Sequence, residues 1–317
     1  MQEDEVQFLG FTKPRAVAFA LLAAFIVVSP FVLYPVFLMK VYCFIIFACA
    51  YNLLLGYTGL MSFGHSAFFG AGAYLCGYTA ARLGLPFEIS VLAGTLSAAL
   101  LGLVFGWIAI RRSGLYFAMI TLALAQMTYF IALQVPFTGG EDGIQQVPRG
   151  SLLGLVDLSS DTTIYWVMAV ILLGVLVFHN RIVHSPFGQV LRATRKNPER
   201  ARSLGYNVDR FKLMSFVLSA ALAGFAASLK TIIFGLATLT DISMVTSIEV
   251  VLSNLVGGIG TIFGPVVGSF VILSLEYYLA PYGPWVLLIQ GLVFTLFVLL
   301  FRQGIVGKLQ EKLRTLL

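Results

Sequence analysis

Charge is scarce in this chain. Of its 317 residues, 11% are Asp, Glu, Lys or Arg, against about 25% in an average soluble domain, and 59% are apolar. That balance excludes an ordinary soluble fold. Cysteine is scarce as well. Cys43, Cys49 and Cys76 all fall in apolar segments, at spacings that suit neither a metal site nor a disulfide framework, and they read as small buried or lipid-facing residues. No G-x-x-x-x-G-K-[ST] stretch occurs, so nothing here holds a nucleotide in the P-loop manner. H-E-x-x-H and G-x-S-x-G are missing too, which disfavours a membrane enzyme. The start, MQEDEVQF, lacks the basic region of a signal peptide, so the first apolar run is expected to be a retained helix.

What the chain does have is long apolar runs. Arg15–Phe37, Glu88–Ile110, Leu115–Val135, Ile164–Phe178, Phe211–Phe234 and Pro284–Phe301 meet or approach the roughly 20 residues needed to cross a bilayer. The net charge of +6 is therefore read for orientation, not for nucleic acid. Basic residues concentrate in His179–Lys212, at Arg302–Arg314 and at Arg111–Arg112. All three read as cytoplasmic by the positive-inside rule. Pro136–Thr163, with Glu141, Asp142, Asp157 and Asp161 against Arg149, reads as an external loop.

Counting crossings leaves two stretches that must begin and end on one face, Val41–Arg82 and Thr246–Ala280. Each carries a glycine-rich centre. One is GYTGLMSFGHSAFFGAGAY, from Gly56 to Tyr74, and the other GGIGTIFGP, from Gly257 to Pro265. Non-helical backbone at membrane depth survives only where protein covers it or a cavity bathes it. Paired, glycine-interrupted segments in two halves point to a transport pathway built on an internal repeat. The candidate pathway residues are Ser62, Gly64, His65, Ser66, Gly257, Gly258, Gly260 and Thr261. For Gly70, Gly72 and Gly268, simple close packing of helices is an equal reading. Glu249 lies near the outer end of the second element, within the membrane or at its interface. The fold expected is an all-α polytopic membrane protein. It has about 8 or more transmembrane helices, two in-and-back glycine-broken elements and an inverted repeat. A single permease domain covers residues 1–317.

Between two spans lies SPFGQVLRATRKNPERARSLGYNV, from Ser185 to Val208. Ser185 with Pro186, then Asn197 with Pro198 and Glu199, give two cap-and-proline helix starts. Gly205 supplies a stop. The product is a short basic helix, Pro198–Leu204, with Ala201 and Leu204 expected on one face. It rests on anionic lipid or plugs into a cytoplasmic partner.

The chain resembles the branched-chain amino acid ABC transporter permeases, the LivM-type subunit in particular. The pieces that carry the resemblance are YNLLLGYTGLMSFGHSAFFGAGAY, GLYFAMITLALAQM, FTGGEDGI, the stretch Ser185–Leu229 and SIEVVLSNLVGGIGTIFGPVVGSF. They occur in order and span most of the chain. The resemblance implies an importer subunit, not an enzyme, in a bacterial inner membrane. Its implied partners are a second homologous permease, two cytoplasmic ATPases that bind the ATP and Mg, and an external solute-binding protein. No cofactor is expected in this chain. The segment 185–210 is expected to couple to the ATPase through Pro198, Glu199, Arg200, Ala201, Arg202, Leu204 and Gly205, although Arg202 stands where the family often has alanine. Urea, amide and aromatic-acid importers use very similar permeases, so those substrates stay open, as does a stand-alone channel.

Overall fold

Two prolines cut the first apolar run. The computed structural model describes residues 13–152, 154, 156–283, 285–300 and 304–308. In it α1 (Lys13–Val28) gives way to a 3-10 turn at Ser29–Phe31, where Pro30 has no N–H to donate. Tyr34 is held extended, at φ −64° and ψ 123°, and α2 (Pro35–Asn52) starts immediately after it, as the residue before a proline dictates. The expected span Arg15–Phe37 is thus corrected to one helix and the beginning of another. α2 runs on through a π-helical segment, Leu53–Thr58, giving a helix of 24 residues, Pro35–Thr58. That length is sufficient to cross a membrane.

The remaining helices are α3 (His65–Ala81), α4 (Phe87–Ala109), α5 (Leu115–Gln134), α6 (Asp161–His184), α7 (Pro186–Lys196), α8 (Pro198–Ser203), α9 (Val208–Phe234), α10 (Met244–Gly257), α11 (Gly264–Leu279) and α12 (Trp285–Leu300). A two-residue hairpin, Ser151–Leu152 with Val156–Asp157, lies in the expected external loop. Among the described residues, five helices are long and apolar enough to cross a membrane: Pro35–Thr58, α4, α5, α6 and α9. Shorter apolar helices accompany them, including α10 and α11. The chain is an all-α, multi-pass membrane protein.

Packing follows an inside-out pattern. On α4 the large residues Leu92, Leu96, Leu100, Leu103 and Trp107 are exposed, while Ser90, Gly94, Ala98, Gly102 and Gly106 are buried. Small residues four apart let helix backbones approach closely where lipid offers no hydrophobic drive. The matching stripe on α9 is Ala220, Gly224 and Ser228. A methyl group on Gly72 of α3 would strike the Gly224 backbone, and one on Gly94 would strike the Ser228 hydroxyl. Gly70 fits against Ile242 and Gly268 against the Ser253 backbone, so these glycines serve close packing. Cys43, Cys49 and Cys76 are buried free thiols.

The two ends of the bundle differ. At one end α7, α8, the start of α9 and Arg111 cluster. At the other, Lys40 of α2 meets Glu276 of α11 at 3.1 Å, and Lys230 meets Asp241 at 2.7 Å. Asp241 also accepts the Thr238 N–H at 3.1 Å. Its side chain is only 8% exposed, so removing the lysine strands a buried carboxylate. Lys230→Met is expected to destabilise the fold by about 3 kcal/mol. The double variant Lys230→Met/Asp241→Asn is expected to lose clearly less. Thermal unfolding in detergent checks this, and equal losses would refute the pairing argument.

Candidate functional site

The first break begins where the π-helical end of α2 stops at Thr58. Thr58 donates to Ser215 of α9 at 3.0 Å. The chain then climbs back through Gly59–Gly64 and restarts as α3 at His65. A Cβ on Gly64 would collide with the Thr121 carbonyl of α5. His65 is fully buried among Tyr51, Phe68 and Phe216. Its Nε2 lies 2.7 Å from Ser219 Oγ. Ser219 gives its single proton to the Ala50 carbonyl, so Nε2 must carry the hydrogen between them. Ser66 donates to the Ile242 carbonyl at 2.9 Å and receives the Ser247 hydroxyl at 2.8 Å. Its own N–H donates to Ser247 Oγ at 2.9 Å. The start of α3 is thereby tied to the start of α10. Ser62 is buried and accepts the Gly64 N–H at 3.2 Å.

The second break runs from Gly258 to Phe263, between α10 and α11. Gly260 sits at φ +76°, a left-handed conformation that side chains resist. Thr261 Oγ1 donates to the Gly258 carbonyl at 2.8 Å. Gly257 and Gly258 are buried, and Gly260 and Thr261 are half-buried. The residue that ties α2, which leads into the first break, to the second break is Asn52, fully buried. Its Oδ1 accepts the Gly260 N–H at 2.9 Å, and its Nδ2 donates to the Thr261 carbonyl at 2.8 Å. One turn further along, the Gly56 backbone lies directly against Gly260. Asn254 of α10 returns the contact by donating to the Ala48 carbonyl at 3.1 Å.

The structure therefore gathers the expected residues in two groups. Ser62, Gly64, His65 and Ser66 sit against α5, α9 and α10, and Gly257, Gly258, Gly260 and Thr261 sit against the end of α2. In each group the hydroxyls are bonded to protein, as are the Phe63, Gly64, Gly260 and Thr261 N–H groups, while His65 Nδ1 is buried without a hydrogen-bond partner among the described residues. Buried hydroxyls in such places demand partners, and these have them. Asn52, Ser219, Ser247 and Arg195 were missed. A polar residue alone in an apolar run was the one local signal for Asn52.

Arg195 links this centre to the basic end. Its Nη1 donates to the Gly56 carbonyl. Its side chain lies so close to Gly59 that a Cβ there would come within 2.8 Å of Cγ. A Cβ on Gly260 would come within 3.3 Å of Nη1. Arg195 belongs to the last turn of α7, which Ser185 caps by accepting the Gly188 N–H at 3.3 Å. Asn197 caps α8 by accepting the Arg200 N–H at 3.0 Å. Gly205, at φ +90°, ends α8, and the Tyr206 N–H reaches back to the Ala201 carbonyl at 3.2 Å. The cap, proline and glycine signals fold as expected. The shared apolar face does not form: Ala201 is buried and Leu204 is 69% exposed, since the helix stops at Ser203 and Leu204 swings out as its cap. Pro198 is half-buried, while Glu199, Arg200 and Arg202 are exposed. Arg202 pairs with Glu199 at 2.9 Å and Asp209 at 3.4 Å, bridging α8 to α9.

A family described as "Branched-chain amino acid transport system / permease component" matches residues 35–301, which include both breaks and the α7–α8 pair. The chain belongs to that permease family. Among relatives, it is similar to the high-affinity branched-chain amino acid transport system permease protein LivM of Escherichia coli (strain K12), at 27% identity over 86% of this chain and 69% of the relative. It is similar to LivM of Salmonella typhimurium at 28%, over the same shares. LivH of Salmonella typhimurium is 23% identical over 82% of this chain and 90% of its own. No solved structure matches. The family is one of transport permeases, and the chain is of the LivM type.

Proposed function

We propose that this permease is one membrane subunit of an ABC importer for branched-chain amino acids, energised by partner ATPases. The observation that carries the mechanism is the contact of Arg195 with the glycine breaks. It gives the exposed α8 helix a direct line to the centre of the bundle. The basic end faces the cytoplasm of a bacterium, by the positive-inside rule, and the permease sits in its inner membrane. A second homologous permease completes the pathway, and of the complex's two ATPases one docks on α8 and its exposed neighbours Leu204 and Tyr206. An external binding protein delivers the solute and sets much of the specificity. The α2–α3 and α10–α11 pairs are the corresponding halves of an inverted repeat, and their breaks line or gate the pathway. Alternating access needs two states that the partners bind with different affinity. Nucleotide-driven closure of the ATPases pushes α8, and α7 carries that push to Gly56 and Gly260.

The decisive test is a mild-detergent pull-down from the native membrane with identification of co-eluting chains. Two P-loop ATPases and a second permease are expected; a clean complex without any ATPase refutes the importer. Competition against labelled leucine uptake tests the substrate. Valine is expected to compete and urea and benzoate are not, and failure of valine removes the branched-chain label. Within the α8 element, Gly205→Pro removes both the positive φ and the N–H that donates to the Arg202 carbonyl at 2.9 Å. Glu199→Arg reverses the charge beside Arg202. Both variants are expected to insert normally and to lose most uptake. Normal uptake in both would refute the coupling role.

A further inference from the structure

We propose that the basic end of the permease holds a binding cleft for a small carboxylate with a branched aliphatic tail, the class of solute expected to leave there. The ligand's identity rests on the importer reading. The cleft has a volume of about 950 Å³. Arg192, Arg195 and Lys196 converge on it, and among the described residues no Asp or Glu lines it. None of the ion pairs among the described residues involves these three cations. Both guanidiniums are aimed by backbone anchors. Arg192 Nη2 donates to the Val183 carbonyl at 2.8 Å, and Arg195 donates to that of Gly56. A guanidinium has five N–H donors, so each keeps donors for a carboxylate, which it binds best as a fork.

The rest of the lining fits the other end of such a molecule. Tyr57, Val183 and Ile262 supply an apolar wall. Scattered positive charge would orient the chain in a membrane without converging on a cleft that has such a wall. The cleft also reaches Gly56, Gly260 and Thr261, so it opens where the two breaks meet. Among the described residues, an ammonium group would find only neutral oxygens here. The carboxylate, not the amino group, therefore decides binding. A carboxylate held on the remaining donors of Arg195, while Nη1 stays on the Gly56 carbonyl, pins α7 against the break and slows the next cycle, which makes the cleft a product-sensing site.

The test uses the full complex from its native membrane, reconstituted with the basic end facing the lumen. ATP and an unlabelled compound are sealed inside, and the initial uptake of labelled leucine is measured. Internal leucine and 4-methyl-2-oxopentanoate are expected to inhibit alike, whereas leucinamide needs at least about tenfold higher concentration, since it lacks the charged oxygens that the guanidinium fork grips. Lys196→Glu and Arg192→Gln are each expected to raise the half-inhibitory leucine concentration about tenfold, the factor lost with one charge-assisted contact. Equal inhibition by leucinamide, no inhibition at all, or inhibition unchanged in both variants overturns the cleft assignment while leucine uptake itself upholds the importer. Inhibition that follows the anionic-lipid content of the vesicles instead of leucine assigns the cations to lipid phosphate and overturns it as well. If labelled leucine is not taken up in the absence of internal solute, the importer reading falls, and this ligand with it.

Discussion

Replacing Arg195 with alanine is expected to cut solute uptake by at least about tenfold while the partner ATPases keep most of their turnover, a loss within the usual span of coupling energies. The reason is geometric. Arg195 is the side chain of α7 that bonds the Gly56 carbonyl and lies against Gly59 and Gly260. Without it, α8 still presents the same surface to an ATPase. The motion imposed there no longer reaches the breaks, so hydrolysis continues unused. A lysine at this position keeps a donor on a long stem, and Arg195→Lys is expected to restore part of the uptake; Arg195→Met, of similar length without a donor, is not. The measurement pairs ATPase rate with uptake in one proteoliposome preparation. Parallel loss of both activities would mean that Arg195 merely holds the fold together, and undiminished uptake would remove it from the coupling path.

Asn52→Leu is expected to have the second large effect. Leucine has the same heavy-atom branching as asparagine but can replace neither of its bonds to the second break. The Gly260 N–H and the Thr261 carbonyl would lose partners in a half-buried place, at roughly 1–3 kcal/mol each. The complex is expected to unfold several degrees lower in detergent, and uptake is expected to fall about tenfold or more, as a destabilised break rarely occupies its working shape. Asn52→Asp separates the two bonds. It keeps an acceptor for Gly260 and turns the contact with Thr261 into repulsion between oxygens, so an intermediate stability is expected. Wild-type melting of Asn52→Leu would show that the two breaks do not depend on each other.

Much of this arrangement was legible because it rests on local chemistry. Glycine runs mark where helices stop, and Ser185, Asn197 and Gly205 announce the caps of α7 and α8 in short spans of sequence. The break at Pro30 was passed over because apolar residues continue on both sides of it, and hydropathy outweighed proline in the reading of Arg15–Phe37. The π-helical extension of α2 was illegible for a related reason: nothing in Leu53–Thr58 distinguishes a wider helical turn from an ordinary end. Asn52, Ser219 and Ser247 escaped because their meaning lies in partners far along the chain. Asn52 bonds residues more than 200 positions away, and no spacing rule relates them. Leu204 was misplaced because face arithmetic assumes the helix continues, and α8 ends one residue earlier.

The small-residue seams among α3, α4 and α9 have a mechanical consequence. Backbones in direct contact have no soft side chains between them to absorb displacement, so these three helices tilt as one stiff beam. α9 has 27 residues, a length of about 40 Å at 1.5 Å per residue. Its foot is joined to α8 by the Arg202–Asp209 pair and its head to the turn at Asp241 by Lys230. Over that length a rotation of about 5° at the foot displaces the head by about 3.5 Å, more than the width of a hydrogen bond. A nudge at one face of the membrane thus arrives at the other already magnified.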